Sequence, residues 1–419
     1  MSAFFGKLMK YTYGHDPGMP FICPYCFESI KKIDDVHYMC TAVGHSSSSV
    51  TEEDPEFARY RGLETYTRTT HVIRTFNKKD PRCDVCGARL TRMLCPVCHN
   101  TLPYGIDKWD LNFFAVLGPR AVGKSHYIGV LIKVLEKMSR EFEWSISPID
   151  SKVNDLYNKK YANSLFSKKN TIEPTRRVTL DIYEPLAYTI KTFNGKVAGL
   201  FFVDTAGEDV SADDYAYTIQ KYISNSSGII YLVDPLQFDY VRDRIGARDT
   251  NKANYTNTLS VISQVYRSGK GVPVNKKIDI PIAVVVTKCD VLLKDPTSEM
   301  EEEVFLGSDS AMNNPRKYGV FDDENSRQIS AEIEGFLDRV SGGTLPVAVK
   351  NDYKEYRYFA VSALGSEPDP SGMLGGVSPI RVEDPMLWLL HKETNAIRSA
   401  SAQESVKKSI GLFRRRLNV

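Results

Sequence analysis

The stretch GPRAVGKS, Gly118 to Ser125, has the spacing GxxxxGK[ST]. Glycines at that spacing let the backbone turn so that successive N–H groups converge on phosphate oxygens, with a helix N-terminus adding its dipole. Lys124 is then placed to reach the β- and γ-phosphates of a nucleotide, and Ser125 to ligate Mg²⁺. Pro119, Arg120, Ala121, Val122 and Gly123 supply the loop between them, and His126 stands next in the chain. A second signal is GLFFVDTAGED, an apolar run ending in Asp204, with Gly207 three residues later and Asp204 lying 79 residues after Ser125. Such an aspartate can hold Mg²⁺ through water, and such a glycine can offer its N–H to a γ-phosphate. The third signal is TKCD, Thr287 to Asp290, at the end of the buried-looking run AVVV. A carboxylate at Asp290 can accept from both N1–H and the exocyclic amine of guanine, a pair that adenine does not present. Lys288 would lay its aliphatic stem on the base. Ser362, Ala363 and Leu364 follow a further apolar run, where a backbone N–H can meet guanine O6. In order along one chain, the four signals predict binding of GTP or GDP with Mg²⁺.

The cysteines carry different chemistry. Seven of the eight precede residue 100, and six of those form CxxC pairs. In a reducing compartment such pairs read as metal ligands rather than disulfides. The run Cys83-x2-Cys86-x8-Cys95-x2-Cys98 has the spacing of two knuckles gripping one tetrahedral Zn²⁺. Cys23 and Cys26 supply another knuckle and Cys40 a third ligand for a second Zn²⁺. The fourth ligand is His45, through C-x4-H, or His37, through H-x2-C; His45 is preferred because His37 falls in the strand-like VHYMC. His99, next to Cys98, reads as a bystander, and Cys289 as a buried free thiol.

The elements that must position these residues follow from the apolar pattern. NFFAVLG, AGLFFVD, GIIYLVD, IPIAVVVT and YRYFAVSA are short and apolar on both faces, as strands covered on both sides are. Alternating with helical patterns, among them HYIGVLIKVLEKM behind the phosphate loop, they predict an α/β fold with a mostly parallel sheet. Three regions result: a double zinc ribbon over 1–105, the α/β domain with insertions over 106–365, and a linker, helix and basic tail over 366–419. Residues 291–325 read as an exposed insertion. A chain of 419 residues with 42% hydrophobic content, 25% charge and a net charge of +2 is an ordinary soluble composition with no global demand for a polyanionic partner. No apolar run approaches the ~18 residues of a membrane span, and no secretory signal is apparent, so the expected location is cytoplasmic.

With GPRAVGKS, DTAG, TKCD and SAL in order, the chain resembles the translation-factor and Ras-like class of P-loop GTPases. That resemblance implies a switch threonine between the first two motifs, with Thr171, Thr175 and Thr179 as candidates and Thr175 preferred, completing the Mg²⁺ shell with Ser125 and Asp204. It also marks Lys124, Arg120, Glu208 and Thr175 as the positions that bear on hydrolysis. Thr287 stands where the class commonly has Asn, Glu208 where Ras-like members place a water-orienting Gln, and Arg120 where they have Gly. A carboxylate beside the γ-phosphate opposes the charge building there, and Arg120 either crowds the attacking water or supplies charge in cis; slow turnover is the expectation. Together with the CPYC, CDVC and CPVC knuckles, the motifs resemble the second subtype of bacterial double-GTPase proteins of conflict systems. What this implies is a GTP-dependent sensor or regulator working beside other proteins. Two alternatives stand: a non-hydrolysing nucleotide-binding scaffold, and a nucleic-acid-binding zinc ribbon (with Arg82, Arg89 and Arg92) carrying a regulatory GTPase domain. The tail residues Lys407, Lys408, Arg414, Arg415 and Arg416 flank SIGLF, which can lie on an anionic surface or dock a partner.

Overall fold

The computed structural model describes residues 20–40, 52–74, 81–173, 185–192, 195–203, 216–245, 253–294, 307–394 and 397. Thr175, Thr179, Asp204, Gly207, Glu208, His45 and the basic tail lie outside the described residues. Two compact units divide the chain: the first holds the described residues through Leu111 with 185–187, and the second begins at Asn112.

The first unit is built from very short strands. β1 (Phe21–Ile22) and β2 (Ser29–Ile30) form a hairpin, followed by β3 (His37–Met39). β4 (Glu52–Glu53) and β5 (Thr67–Arg68) pair around the helix Pro55–Arg61. β6 (Val72–Ile73) and β7 (Arg92–Leu94) flank β3 on either side, both antiparallel to it. Helix Pro55–Arg61 begins where Asp54 accepts from the Phe57 N–H at 2.9 Å and ends at Gly62, whose φ of +62° supplies the left-handed cap. Strands of two or three residues bury little by themselves. The core is instead gathered on sulfur: Phe21, Ile30, Val36, Met93, Leu102 and Ile106 pack with Cys23, Cys95 and Cys98.

The sheet of the α/β fold has seven strands. They are β8 (Asp110–Leu117), β9 (Trp144–Pro148), β10 (Leu186–Thr192), β11 (Val197–Phe202), β12 (Gly228–Val233), β13 (Ile282–Val286) and β14 (Tyr356–Ala360). Their spatial order is β14-β13-β12-β8-β11-β10-β9. β8, β12, β13 and β14 run parallel, with Leu117 beside Tyr231, Val233 beside Val286 and Val286 beside Ala360. β9 and β10 are antiparallel. Every residue of β12 and β13 is buried, which is why both read as unbroken apolar runs rich in β-branched residues. All five runs expected as strands are strands, and the helix expected behind the phosphate loop spans Lys124–Lys137.

Two stretches are more closely packed than their composition implies. Residues 291–325 read as an exposed insertion, yet the described part from 307 on buries Ala311, Val320 and Phe321. It is also pinned: Ser310 Oγ donates to Glu332 at 2.6 Å, Asn325 Nδ2 donates to the Ala311 carbonyl at 2.9 Å, and Arg316 pairs with Glu383 at 2.8 Å. The Gly/Pro/Ser stretch after residue 365 is tied down as well. Leu374 N donates to Lys169 O at 2.8 Å, Thr171 N to Gly372 O at 2.9 Å, and Ser378 N to Leu364 O at 2.9 Å. The helix Asp384–Glu393 that follows buries Trp388 and sets Leu389 against Gly228, where a Cβ would come within 2.9 Å of it.

Candidate nucleotide site and metal centres

Because β8, β12, β13 and β14 are parallel and in register, the loops at their C-terminal ends share one sheet edge, the place where open α/β sheets bind ligands. Gly118–Ser125 follows β8, Asp234 follows β12, Thr287–Asp290 follows β13, and Ser362–Leu364 follows β14.

The loop after β8 turns where its sequence allows. Gly118 has φ +151°, and a Cβ there would come within 2.6 Å of the Leu232 carbonyl of β12. Gly123, at φ +90°, opens the helix Lys124–Lys137 and, having no side chain, places no cap over its first turn. Lys124 is buried, and its Nζ donates to the carbonyls of Gly118 and Pro119, both at 2.9 Å, so the loop is wrapped around the ammonium. Val122 is fully buried beneath the loop, whereas Arg120 and Ala121 face outward. His126 Nε2 accepts from the Ile172 N–H at 3.1 Å, tying the start of this helix to the segment carrying Thr171. Thr171 in turn holds Gly372, as described above.

The loop after β13 is equally constrained. Thr287 is buried, and its N–H and hydroxyl both donate to the Val233 carbonyl, at 2.8 and 3.2 Å. Lys288 takes the left-handed φ of +52°, Cys289 is fully buried, and Asp290 is 5% exposed. Burial pushes the Cys289 thiol up, consistent with its reading as an inert core cysteine. Ser362 is buried and pairs with Ile380 through two backbone bonds of 3.0 and 2.8 Å, while its hydroxyl accepts from Gly365 N at 2.8 Å. Ala363 and Leu364 are half-buried beside it.

In the first unit the cysteine pairing departs from the spacing. Cys83 and Cys86 do not share a site with Cys95 and Cys98. The thiols that converge are Cys23, Cys26, Cys95 and Cys98 in one group and Cys40, Cys83 and Cys86 in another, the sulfurs of each lying within 4.8 Å of one another. The reason is the sheet: pairing of β3 with β7 lays His37–Met39 against Leu94–Arg92 and carries the last knuckle to the first. Cys23 and Cys98 sulfurs are 3.8 Å apart, as are those of Cys26 and Cys95. A tetrahedral ion with Zn–S of about 2.3 Å separates its sulfurs by about 3.8 Å, so this donor set fits Zn²⁺. Cys40 and Cys86 approach to 3.4 Å, and three thiols with one position left for a fourth ligand suit the same metal.

All three knuckles share one backbone. The first cysteine's N–H donates to the residue five further on (Cys23 to Glu28 at 2.9 Å, Cys83 to Ala88 at 2.8 Å, Cys95 to Asn100 at 3.0 Å). The fourth residue onward is left-handed in each: Phe27 at φ +57°, Gly87 at +67° and His99 at +49°.

His99 is not a bystander. Fully buried, it bonds Asp54 Oδ1 through Nδ1 at 2.7 Å and His37 Nδ1 through Nε2 at 2.8 Å, while Asp54 also pairs with Arg68. Burial, and then His99, push the His37 imidazole down, which favours its neutral form. His37 is not among the residues gathered with Cys40, Cys83 and Cys86, and His45 lies outside the described residues. Spacing gave no sign of Asp54, Arg68 or His99; a buried histidine beside a metal knuckle is recognisable only once its carboxylate partner, 45 residues away, is placed.

No protein-family model matches the chain. A protein of Mycolicibacterium smegmatis named "Putative ESX-1 scaffolding and assembly protein SaeC" is 29% identical over 315 residues, covering 71% of this chain and 78% of that one. Among solved structures, the S. cerevisiae Ski7 GTPase-like domain bound to GTP is similar over 68% of this chain and 51% of its own, at 15% identity and a TM-score of 0.28. The chain thus spans about half the length of that structure. Geometry and comparisons together establish an α/β chain with a seven-stranded, mostly parallel sheet and two cysteine clusters able to hold metal, similar in sequence to a protein named for scaffolding.

Proposed function

We propose that the second unit binds guanine nucleotides and acts as a slow, GTP-dependent switch, with the first unit a zinc-stapled module. The observation that carries this reading is convergence: Gly118–Ser125, Asp290 and Ser362–Leu364, the phosphate, base-edge and O6 elements, occupy one edge of four parallel strands. In this reading the loop N–H groups and Lys124 grip phosphate, Asp290 accepts from the guanine edge, and Lys288 covers the base. Ser125, Thr175 and Asp204 would hold Mg²⁺, which supplies charge neutralisation on the phosphates when bound. Glu208 would oppose the charge building at the γ-phosphate, and Arg120 would either crowd the attacking water or supply charge in cis. Equilibrium binding of fluorescent GDP and GTP tests the proposal: guanine nucleotides should bind and ATP should compete poorly. Comparable affinity for ATP and GTP defeats it.

A second reading is favoured by the relative named for scaffolding and assembly: nucleotide is bound but not hydrolysed, and the chain organises partner proteins. Partners in an assembly fit that relative better than the conflict-system role that the motif resemblance implies. Multiple-turnover phosphate release separates a switch from a scaffold.

A further inference from the structure

A buried, hydrogen-bonded path joins the loop after β13 to the loop after β8 through residues that no motif marks. Asp234, fully buried at the end of β12, bonds Lys288 Nζ through Oδ2 at 2.5 Å. Through Oδ1 it accepts from Leu236 N at 2.9 Å, capping the one-turn 3₁₀ helix Pro235–Gln237. Gln237 closes that turn and is also buried. Its Oε1 accepts from the Tyr255 hydroxyl at 2.9 Å, and its Nε2 donates to the Arg120 carbonyl in the middle of the phosphate loop at 3.2 Å. The Tyr255 hydroxyl in turn accepts from Asp234 N at 2.9 Å. One short turn therefore grips both loops.

We infer that Asp234 and Gln237 are positioning residues of the nucleotide site, Asp234 fixing the Lys288 stem that covers the base and Gln237 fixing the Arg120 carbonyl that shapes the phosphate loop. The inference rests on the guanine-nucleotide reading above, and its ligand class is a guanine nucleoside di- or triphosphate. Lys288 is otherwise badly placed to be rigid. Its backbone is in the sparsely populated left-handed region, and its side chain is 36% exposed with a four-carbon stem. Held at its ammonium by a desolvated carboxylate, the stem is ordered before any ligand arrives, which lowers the entropy that binding must overcome. Gln237 plays the corresponding part for a loop whose outer residues face solvent. Because both bonds leave one capped turn, the two loops keep a fixed separation, set for a base and its phosphates.

The test uses the full chain and measures dissociation constants for GDP, GMP and ADP, with thermal melting to monitor folding. Asp234→Asn keeps shape and removes the charge that holds Lys288. It should weaken GDP and GMP alike, by about tenfold or more, and lower the preference for GDP over ADP. Gln237→Glu keeps the acceptor for Tyr255 and removes the donor to Arg120. It should weaken GDP more than GMP and leave the GDP-to-ADP ratio unchanged. Lys288→Met gives a check independent of Asp234 folding effects: adding Asp234→Asn to it should cost no further affinity. Wild-type affinities and ratios in both single variants overturn the inference, as does a loss shared equally by all three nucleotides in step with lowered melting. A wild-type chain with no preference for GDP over ADP removes the guanine reading itself, and the inference with it.

Discussion

The crossed cysteine pairing can be tested by counting metal. If Cys23, Cys26, Cys95 and Cys98 hold one zinc and Cys40, Cys83 and Cys86 contribute to another, removing the whole second group must leave the first intact. The variant C40S/C83S/C86S should retain one zinc per chain, and C83S/C86S/C95S/C98S should retain none. Pairing by spacing along the chain inverts both outcomes. The size of the effect follows from where the sulfurs sit. Cys23, Cys95 and Cys98 are at most 1% exposed inside the cluster that gathers Phe21, Ile30, Met93 and Ile106. A structural zinc contributes about 10–16 kcal/mol of apparent folding free energy, as much as the ~5–15 kcal/mol that a typical domain has in total. Loss of the outer zinc, at Cys23, Cys26, Cys95 and Cys98, should therefore unfold the core around it, whereas loss of the inner one, at Cys40, Cys83 and Cys86, should leave that core standing. Trp109 packs against the outer cluster and reports on it, the other two tryptophans, Trp144 and Trp388, lying in the second unit. Emission should stay blue-shifted in C40S/C83S/C86S and move red in C95S/C98S, with zinc measured by plasma mass spectrometry on the same samples. One zinc remaining in C83S/C86S/C95S/C98S refutes the crossed arrangement.

Three further outcomes are expected. Gly118→Ala places a Cβ 2.6 Å from a β12 carbonyl that is fixed in the sheet, and should destabilise the second unit by about 2–4 kcal/mol in urea melts; a change under 1 kcal/mol contradicts the close approach. Gly372→Ala, at φ +85° with Asn170 and Thr171 side-chain oxygens both 2.9 Å from the new Cβ, should cost about 1–3 kcal/mol and raise hydrogen exchange at Thr171 N, and unchanged protection there counts against the tether. Burial pushes the Asp323 carboxyl up, but its bonded partner Arg357, with Arg327, outweighs this and holds it below the usual range. Its contribution to stability is thus present above the unfolded value near 3.9 and lost as pH falls through the folded one. Asp323→Asn should flatten the urea midpoint against pH on the acid side, and an unchanged slope between about pH 5 and 2 disproves the coupling.

The sheet was legible because β12 and β13 are buried on both faces, so burial alone dictates their composition. The phosphate and base loops were legible because Gly118 and Gly123 answer to backbone constraints that spacing records. The thiol pairing was not, since spacing reports neighbours along the chain while β3 pairing with β7 decides neighbours in space. The same holds for residues 307–325 and 366–380. Their Gly, Pro, Ser and charged residues resemble solvated loops, yet Ser310, Arg316 and Gly372 spend their polar groups on partners far away in sequence. Asp234 and Gln237 fall in the same class: an ordinary strand end and turn, whose roles exist only through Lys288 and Arg120.

The nested thiolates also set a schedule for synthesis. Cys26 and its partner Cys95 are separated by 69 residues. At ~5–20 residues per second, the first knuckle waits about 3–14 s for the second to be made. Cys83 and Cys86 precede Cys95 in the chain, so the inner set gathers its thiols before the outer one can close. During that interval the nascent chain carries two paired thiols with no partners, open to a wrong metal or to oxidation. Metal supply at the ribosome, and not only at the finished protein, therefore bears on how much of this chain reaches its native form.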